Sequence, residues 1–275
     1  MGAMMLERMR YDGQRVIVTG AASGMGQAVA RLAGELGAEI FALDVKEPSI
    51  PVAKYIETDL RDPVSIDAAV DTIGEPVNKL FSCAGLPNAF PPLDVMLVNI
   101  VGPLHLIRRV RPVMPPRSAI ASISSVGGMG WARSLQPLME LLATETFEDA
   151  RRWCEAHMEL IGDGYSLSKQ AIVVNTMAAA GELIGRGIRI NCISPGPTET
   201  PMYPRFVEAM GQDFWDAWPR PMGRDATPEE QANALLFLNS EAASFITGTN
   251  LFTDGGFTGA VFTGQIDMST LGRKG

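Results

Sequence analysis

The chain has 275 residues, 46% of them hydrophobic, and a formal net charge of −8. That length supports a substantial core, and an acidic balance with no basic stripe argues against nucleic acid or anionic membrane surfaces as partners. Only two histidines, His105 and His157, and three scattered cysteines, Cys83, Cys154 and Cys192, are present. Neither a metal site nor a disulfide framework is expected, and reduced thiols fit a cytoplasmic setting. No apolar run reaches membrane-spanning length, and Met1 to Arg10 lacks the apolar core of a secretory signal.

In chain order, Arg15 to Val18 predicts a strand ending in a glycine-rich turn, and Gln27 to Leu36 a helix stopped by Gly37. Further strands are predicted at Ala38 to Asp44, Tyr55 to Leu60 and Lys79 to Gly85, then a helix near Val95 to Val110 and a strand over Ser118 to Ser125. A helix over Gly164 to Gly187, a strand over Ile188 to Ser194, a helix over Pro228 to Asn239 and a strand near Asn250 to Asp254 complete the order. Such alternation predicts one α/β domain over 1–275, a Rossmann-type doubly wound parallel sheet of about seven strands. Two excursions interrupt it. Residues 129–162 read as a helical insertion, and 200–224, rich in methionine and aromatic residues, as a substrate lid.

The turn Thr19-Gly20-Ala21-Ala22-Ser23-Gly24-Met25-Gly26 follows the first strand and opens a helix. Gly20 permits the tight turn, Gly24 lets backbone approach a phosphate, and Gly26 lets the helix pack on the strand, placing a pyrophosphate at a helix N-terminus. Asp44 ends the second strand, where a carboxylate can accept hydrogen bonds from ribose hydroxyls and repel a 2′-phosphate, which favours NAD(H) over NADP(H). Lys46 is the nearby residue that could reverse that preference. Asp59 ends the third strand at the same edge, in reach of an adenine amino group.

Tyr165 and Lys169 stand one helical turn apart. A phenol titrates near 10 in water, so acid/base work near neutrality needs a close positive charge, which an i,i+4 lysine supplies.

With these motifs in order, the chain resembles the short-chain dehydrogenase/reductase family from Arg15 to Asp254-Gly255-Gly256. Thr19-Gly20-x-x-x-Gly24-x-Gly26 matches the nucleotide turn, with Ser23 and Met25 inside it, and Asp59-Leu60 the adenine contact. Ser82-Cys83-Ala84-Gly85 stands where the family has Asn-Asn-Ala-Gly, and Pro195-Gly196-Pro197-Thr198-x-Thr200 matches the nicotinamide-side loop. The resemblance implies cofactor contacts from these segments and from Val45 and Met202. It implies that Tyr165 exchanges a proton with the substrate oxygen, Lys169 lowers the tyrosine pKa and holds the nicotinamide ribose, and Ser125, rather than Ser124, orients the substrate oxygen. Asn99 matches the helix asparagine of a proton relay. Pro103, four residues on, has no N–H for the Asn99 carbonyl, which either leaves that acceptor open or merely kinks the helix.

The 40 residues from Ser125 to Tyr165 exceed the family's usual interval and resemble the branch of bacterial 3α-hydroxysteroid dehydrogenase/carbonyl reductases and coniferyl-alcohol dehydrogenases. The insertion's apolar residues are expected to need a partner surface, on the helix carrying Asn99 and its symmetry mate, in a homodimer or homotetramer. The last strand is a second possible contact. The lid, with Tyr203 and Phe206, and Trp131 of the insertion are expected to meet a bulky, hydrophobic alcohol or ketone. The alternatives are a primary aromatic alcohol as substrate, or a non-catalytic NAD-binding redox sensor. A serine hydrolase is disfavoured, because Gly-x-Ser-x-Gly is absent.

Overall fold

The computed structural model describes residues 6–270; the expectations for Met1 to Met5 lie outside the described residues. Apolar runs set the strands and capped or Pro-started segments the helices. The order is β1 (Arg15–Thr19), α1 (Gly24–Glu35), β2 (Glu39–Asp44), β3 (Lys54–Glu57), α2 (Pro63–Ile73), β4 (Lys79–Ser82), α3 (Pro92–Met96), a π-helical turn (Leu97–Val101) and α4 (Gly102–Val110). It continues with β5 (Ala119–Ile123), α5 (Leu135–Leu142), α6 (Phe147–Ala156), α7 (Met158–Ile161), α8 (Tyr165–Ile184), β6 (Arg189–Pro195), α9 (Tyr203–Met210), α10 (Gln212–Asp216), α11 (Pro228–Asn239), β7 (Asn250–Thr253) and α12 (Phe257–Phe262).

All strand pairs are parallel, in the order β3-β2-β1-β4-β5-β6-β7. Strand alternation divides the core. Val16 and Val18 of β1 face the layer holding α1 and α11, while Ile17 faces the layer holding α2, α4 and α8. The chain order reverses between β1 and β4, and at such a switch point the strand ends splay into a crevice that can take a ligand.

Two glycines make that crevice possible. A Cβ on Gly26 would lie 2.1 Å from the Gly20 carbonyl oxygen, and Gly20, at φ +70°, runs against the Ala84 backbone, where a Cβ would lie at 2.7 Å. β4 ends at Ser82 rather than Gly85 because the next two amides leave the ladder: the Cys83 and Ala84 N–H groups donate to the Thr19 hydroxyl at 3.0 and 3.1 Å. That hydroxyl ties β1 to β4 where the amide side chains of the family pattern are missing.

The insertion folds onto its own chain. Thr146 and Asp149 form a capping box that starts α6, and Leu138, Leu141, Phe147, Ala150, Cys154 and Ile161 are buried in the main core. Helix α5 packs on α8, and α6 packs on α4 and on the π-helical turn carrying Asn99. For these buried groups the partner surface lies within the chain, on the Asn99 helix among others. Pro103 does not simply kink that helix: the register slips at Leu97–Val101, and the Gly102 N–H reaches back to the Leu97 carbonyl. No described helix is long and apolar enough to cross a membrane.

Candidate active site

Tyr165 is the first residue of α8, and Gly164 ahead of it takes the left-handed conformation at φ +81°. The Asp163 carboxylate accepts the Tyr165 N–H at 3.0 Å, satisfying one of the free amides at the helix start. The phenol lines the same cleft as Ser125, just past the end of β5. Ser125 Oγ accepts the Gly127 N–H at 3.1 Å. Ser124, the competing serine, is committed elsewhere: its hydroxyl donates to the Lys169 carbonyl at 2.7 Å.

Lys169 lies one turn on and is buried. Its Nζ donates to the Ile123 carbonyl at 2.9 Å and stands 5.6 Å from the centre of the Tyr165 ring. Burial pushes the Lys169 ammonium down to about 8, opposed by the thiols of Cys83 and Cys192. Burial pushes the Tyr165 phenol up to about 12, and the Ser125 hydroxyl opposes the rise. Asn99 is wholly enclosed: it accepts the Leu86 N–H at 2.7 Å, donates to the Leu86 carbonyl at 3.0 Å and to Ser168 Oγ at 3.1 Å. It braces the loop after β4 against α8.

Two clefts adjoin here and share part of their lining. One, of about 500 Å³, runs from Asp44, Val45 and Lys46 past Asp59, Leu60 and Arg61, over the turn of Gly20, Ser23, Gly24, Met25 and Gly26, to Cys83, Ala84 and Gly85. The other, of about 250 Å³, holds Ser125, Tyr165 and Lys169 at its base, with Pro195, Gly196, Pro197 and Thr198 on one side and Tyr203, Phe206, Met210, Trp215 and Trp218 on the other. Met25, Cys83, Gly85, Leu86, Thr200 and Met202 line both.

A dinucleotide fits this pair of clefts. The N-terminus of α1 opens onto the first, Asp44 provides an acceptor at its far end, and Gly85 leaves open a space where a Cβ would sit 3.4 Å from Asn99 Oδ1 and 3.6 Å from Lys169 Nζ. Asp44 accepts the Ala22 N–H at 3.0 Å and the Lys46 main-chain N–H at 3.1 Å, so it is bound to the glycine turn and not to the Lys46 ammonium. Asp59 is gripped by Arg61, which holds its carboxyl below the usual range. No group of three or more histidine, cysteine or acidic residues arranged for a metal occurs among the described residues.

The second cleft is walled by aromatic rings. Phe206 meets Tyr165 edge-on at 5.1 Å and lies parallel to Trp215 at 6.2 Å, and Trp218 stacks on Phe257 at 5.0 Å. Tyr203 offers this wall its ring only, since its hydroxyl donates to Asp225 at 2.7 Å. Trp131 is absent from it and packs on the helical core, because the 3₁₀ turn Trp131–Ser134 leads away from the cleft into α5. Sequence reasoning passed over Leu86, Asn88 and Asp163, which line the second cleft, and Arg61, which lines the first. Arg61 could have been noticed two residues after Asp59; the others carry no pattern of their own.

A seven-stranded parallel sheet with a glycine turn at its switch point and a Ser-Tyr-Lys cluster beside it defines a nicotinamide-dependent oxidoreductase, and the chain belongs to the short-chain dehydrogenase/reductase family. The family model described as short chain dehydrogenase matches residues 14–135, and the one described as enoyl-(acyl carrier protein) reductase matches residues 156–258. The unmatched stretch between them falls in the insertion. Among relatives, the chain is 31% identical over 249 residues to a coniferyl-alcohol dehydrogenase of Pseudomonas sp., covering 90% of this chain and 98% of that one. It is 30% identical over 255 residues to the 3-alpha-hydroxysteroid dehydrogenase/carbonyl reductase of Comamonas testosteroni, covering 88% and 95%. The crystal structure of the 3-alpha-hydroxysteroid dehydrogenase from Pseudomonas sp. B-0831 complexed with NADH is similar at a TM-score of 0.76 and 27% identity, covering 92% of this chain and 100% of that one.

Proposed function

We propose that the chain is an NAD(H)-dependent oxidoreductase that interconverts a hydrophobic secondary alcohol, steroid-like or aromatic, with its ketone. The observation that carries this reading is that Ser125, Tyr165 and Lys169 line one cavity with the rings of Phe206, Trp215 and Trp218. NAD(H), held by the Gly20–Gly26 turn, Asp44, Lys169 and the Gly196–Thr198 loop, supplies or accepts the hydride. Ser125 and Tyr165 hold the substrate oxygen, a positioning role that lowers the barrier by orientation. The phenol, protonated at neutral pH, gives its proton to a ketone oxygen and takes one from an alcohol when ionised. Lys169 places positive charge beside the forming phenolate, and the aromatic wall keeps water from the reacting atoms.

The preference for NAD(H) rests on Asp44, which would face a 2′-phosphate across its own ribose contacts. Lys46 and Arg61 line the same cleft, but Arg61 is already paired with Asp59 and Asp94. NAD(H) should bind at least about tenfold tighter than NADP(H), a difference of about 1.4 kcal/mol. Fluorescence titration of both cofactors checks this, and equal affinity would remove the Asp44 argument.

A second reading, oxidation of a primary aromatic alcohol, is supported by the similarity to the coniferyl-alcohol dehydrogenase. A panel of steroid, secondary aryl and primary cinnamyl-type alcohols, followed by nicotinamide absorbance, separates the two, and a binder without turnover on any of them would indicate a sensor. The three unpaired thiols support a cytoplasmic setting. Exposed Leu135, Met139, Met158 and Leu160 on the insertion, and Leu251 and Phe252 on the edge strand β7, support a homodimer or homotetramer, which light scattering would measure.

A further inference from the structure

The lid lacks a core of its own. No residue of α9 is buried, and Trp215 is the buried residue of α10. Helices this short do not hold their shape in water without outside contacts, yet their rings must stand in register over Tyr165. What fixes them is a polar cluster behind the aromatic wall. Tyr203, at the start of α9, donates its hydroxyl to Asp225 Oδ2 at 2.7 Å. Arg220 binds the other carboxylate oxygen at 2.5 Å, and its second arm donates to the carbonyls of Trp215 and Trp218 at 3.0 and 2.8 Å. Those two carbonyls belong to the C-terminal end of α10 and the turn after it, where the Trp215 carbonyl also accepts the Trp218 N–H at 3.2 Å. The guanidinium also sits 5.9 Å from the centre of the Trp215 ring.

One carboxylate thus holds both ends of the lid. Its own anchor is the next residue: the Ala226 N–H donates to the Pro197 carbonyl at 3.0 Å, and the Glu199 N–H donates to the Ala226 carbonyl at 2.9 Å. Residue 226 therefore pairs with the loop that forms the opposite side of the cavity. Asp225 and Arg220 do not line that cavity, whereas Tyr203 and Trp215 do. Both charges are largely shielded, the Arg220 side chain 20% exposed and that of Asp225 10%, so removing one leaves the other poorly solvated.

We propose that Asp225 is a positioning residue which, through Tyr203 and Arg220, latches the aromatic lid over the reacting centre and so sets the affinity for the hydrophobic substrate. The proposal rests on the alcohol/ketone reading above for its kinetic arm, but the latch itself can be observed without turnover. Asp225→Asn should raise KM for the best alcohol about tenfold while kcat stays within about threefold and NAD(H) affinity is unchanged. Tyr203→Phe, which removes one oxygen and keeps the ring, should raise KM in the same direction by a smaller factor. Arg220→Lys keeps the charge but loses the two-armed reach and should fall between wild type and Asp225→Asn.

The independent readout is acrylamide quenching of tryptophan fluorescence in a Trp131→Phe, Trp153→Phe background, where Trp215 and Trp218 alone report. Quenching should increase in all three variants. Unchanged KM and quenching in both Asp225→Asn and Tyr203→Phe would overturn the proposal, as would a loss of kcat and cofactor affinity matching the rise in KM, which would make Asp225 merely structural. If the wild type oxidises no alcohol, the functional reading fails. The quenching arm then decides the latch: increased quenching supports it and unchanged quenching overturns it.

Discussion

The insertion, 129–162, and the lid, 200–224, break the same strand-helix alternation, yet they fold on opposite principles. The insertion spaces Leu138 and Leu141 on one face of α5 and Phe147, Ala150 and Cys154 on one face of α6, starts α6 with a capping box, and sinks these side chains into the main core. The lid breaks into two short helices at Gly211, is flanked by Pro201, Pro219 and Pro221, exposes every residue of α9 at least in part, and packs its rings on one another around a cavity. Aliphatic groups at helical spacing made scaffold. Methionine and aromatic groups in broken helices made the wall of the second cleft.

Truncation on each side should separate the two roles. Leu141→Ala opens a cavity in the core and should cost about 2–5 kcal/mol of stability while leaving KM for substrate unchanged. Urea denaturation and steady-state kinetics on the same preparation check both halves, and a KM effect without a stability loss would reverse the assignment.

The reacting groups beneath the lid should answer to pH in opposite senses for the two directions. Burial pushes Tyr165 up to about 12, so its ionised form is scarce at neutrality. Log kcat/KM for alcohol oxidation should rise with pH from about 6 to 9, by up to about tenfold per unit, while ketone reduction stays flat or falls. Profiles of both directions test this, and parallel profiles would argue against a single acid/base group.

Phe206→Ala removes the ring that meets Tyr165 edge-on from a partly exposed position. KM should rise about tenfold, with a stability change below about 1 kcal/mol. A large loss of stability would mean that the lid is scaffold after all.

The smallest effect concerns buried thiols, one in the insertion and one in the sheet. Burial pushes Cys154 and Cys192 up to about 12. The unfolded chain gives up these protons near pH 9 and the folded chain does not, so each thiol lowers stability as pH rises from about 9 toward 12. Lys79 and Lys169, pushed down to about 8, act in the opposite sense from about pH 8 to 10.5. A Cys154→Ala, Cys192→Ala variant should therefore lose less stability than wild type between about pH 9 and 10.5 in thermal melts.

The sheet was legible because its central strands are buried apolar runs and most strands are followed by a helix signal; α11 fell on Pro228 to Asn239, the bounds its capping residues predict. The glycine turn, Asp44, Ser125, Tyr165 and Lys169 were legible because each sits at a strand end or on one helical turn. What escaped depends on distance in sequence or on direction. Trp131 lies four residues beyond the cleft-lining Gly127, but the 3₁₀ turn carries it into the insertion. The Asp225 carboxylate finds Tyr203, 22 residues away, and no periodicity announces such a pair. The rise in the Tyr165 pKa follows from burial under Phe206 and its neighbours, which a helical spacing of tyrosine and lysine does not reveal.

The central claim is that the Tyr165 hydroxyl moves the proton while other residues hold the cofactor, and Tyr165→Phe tests it most directly. Turnover of the best alcohol and NAD(H) binding are measured on the same wild-type and variant samples, with Lys169→Ala beside them. The account predicts that Tyr165→Phe loses turnover by at least about 100-fold with NAD(H) affinity nearly intact, and that Lys169→Ala loses both. A Tyr165→Phe variant that keeps wild-type kcat would contradict it.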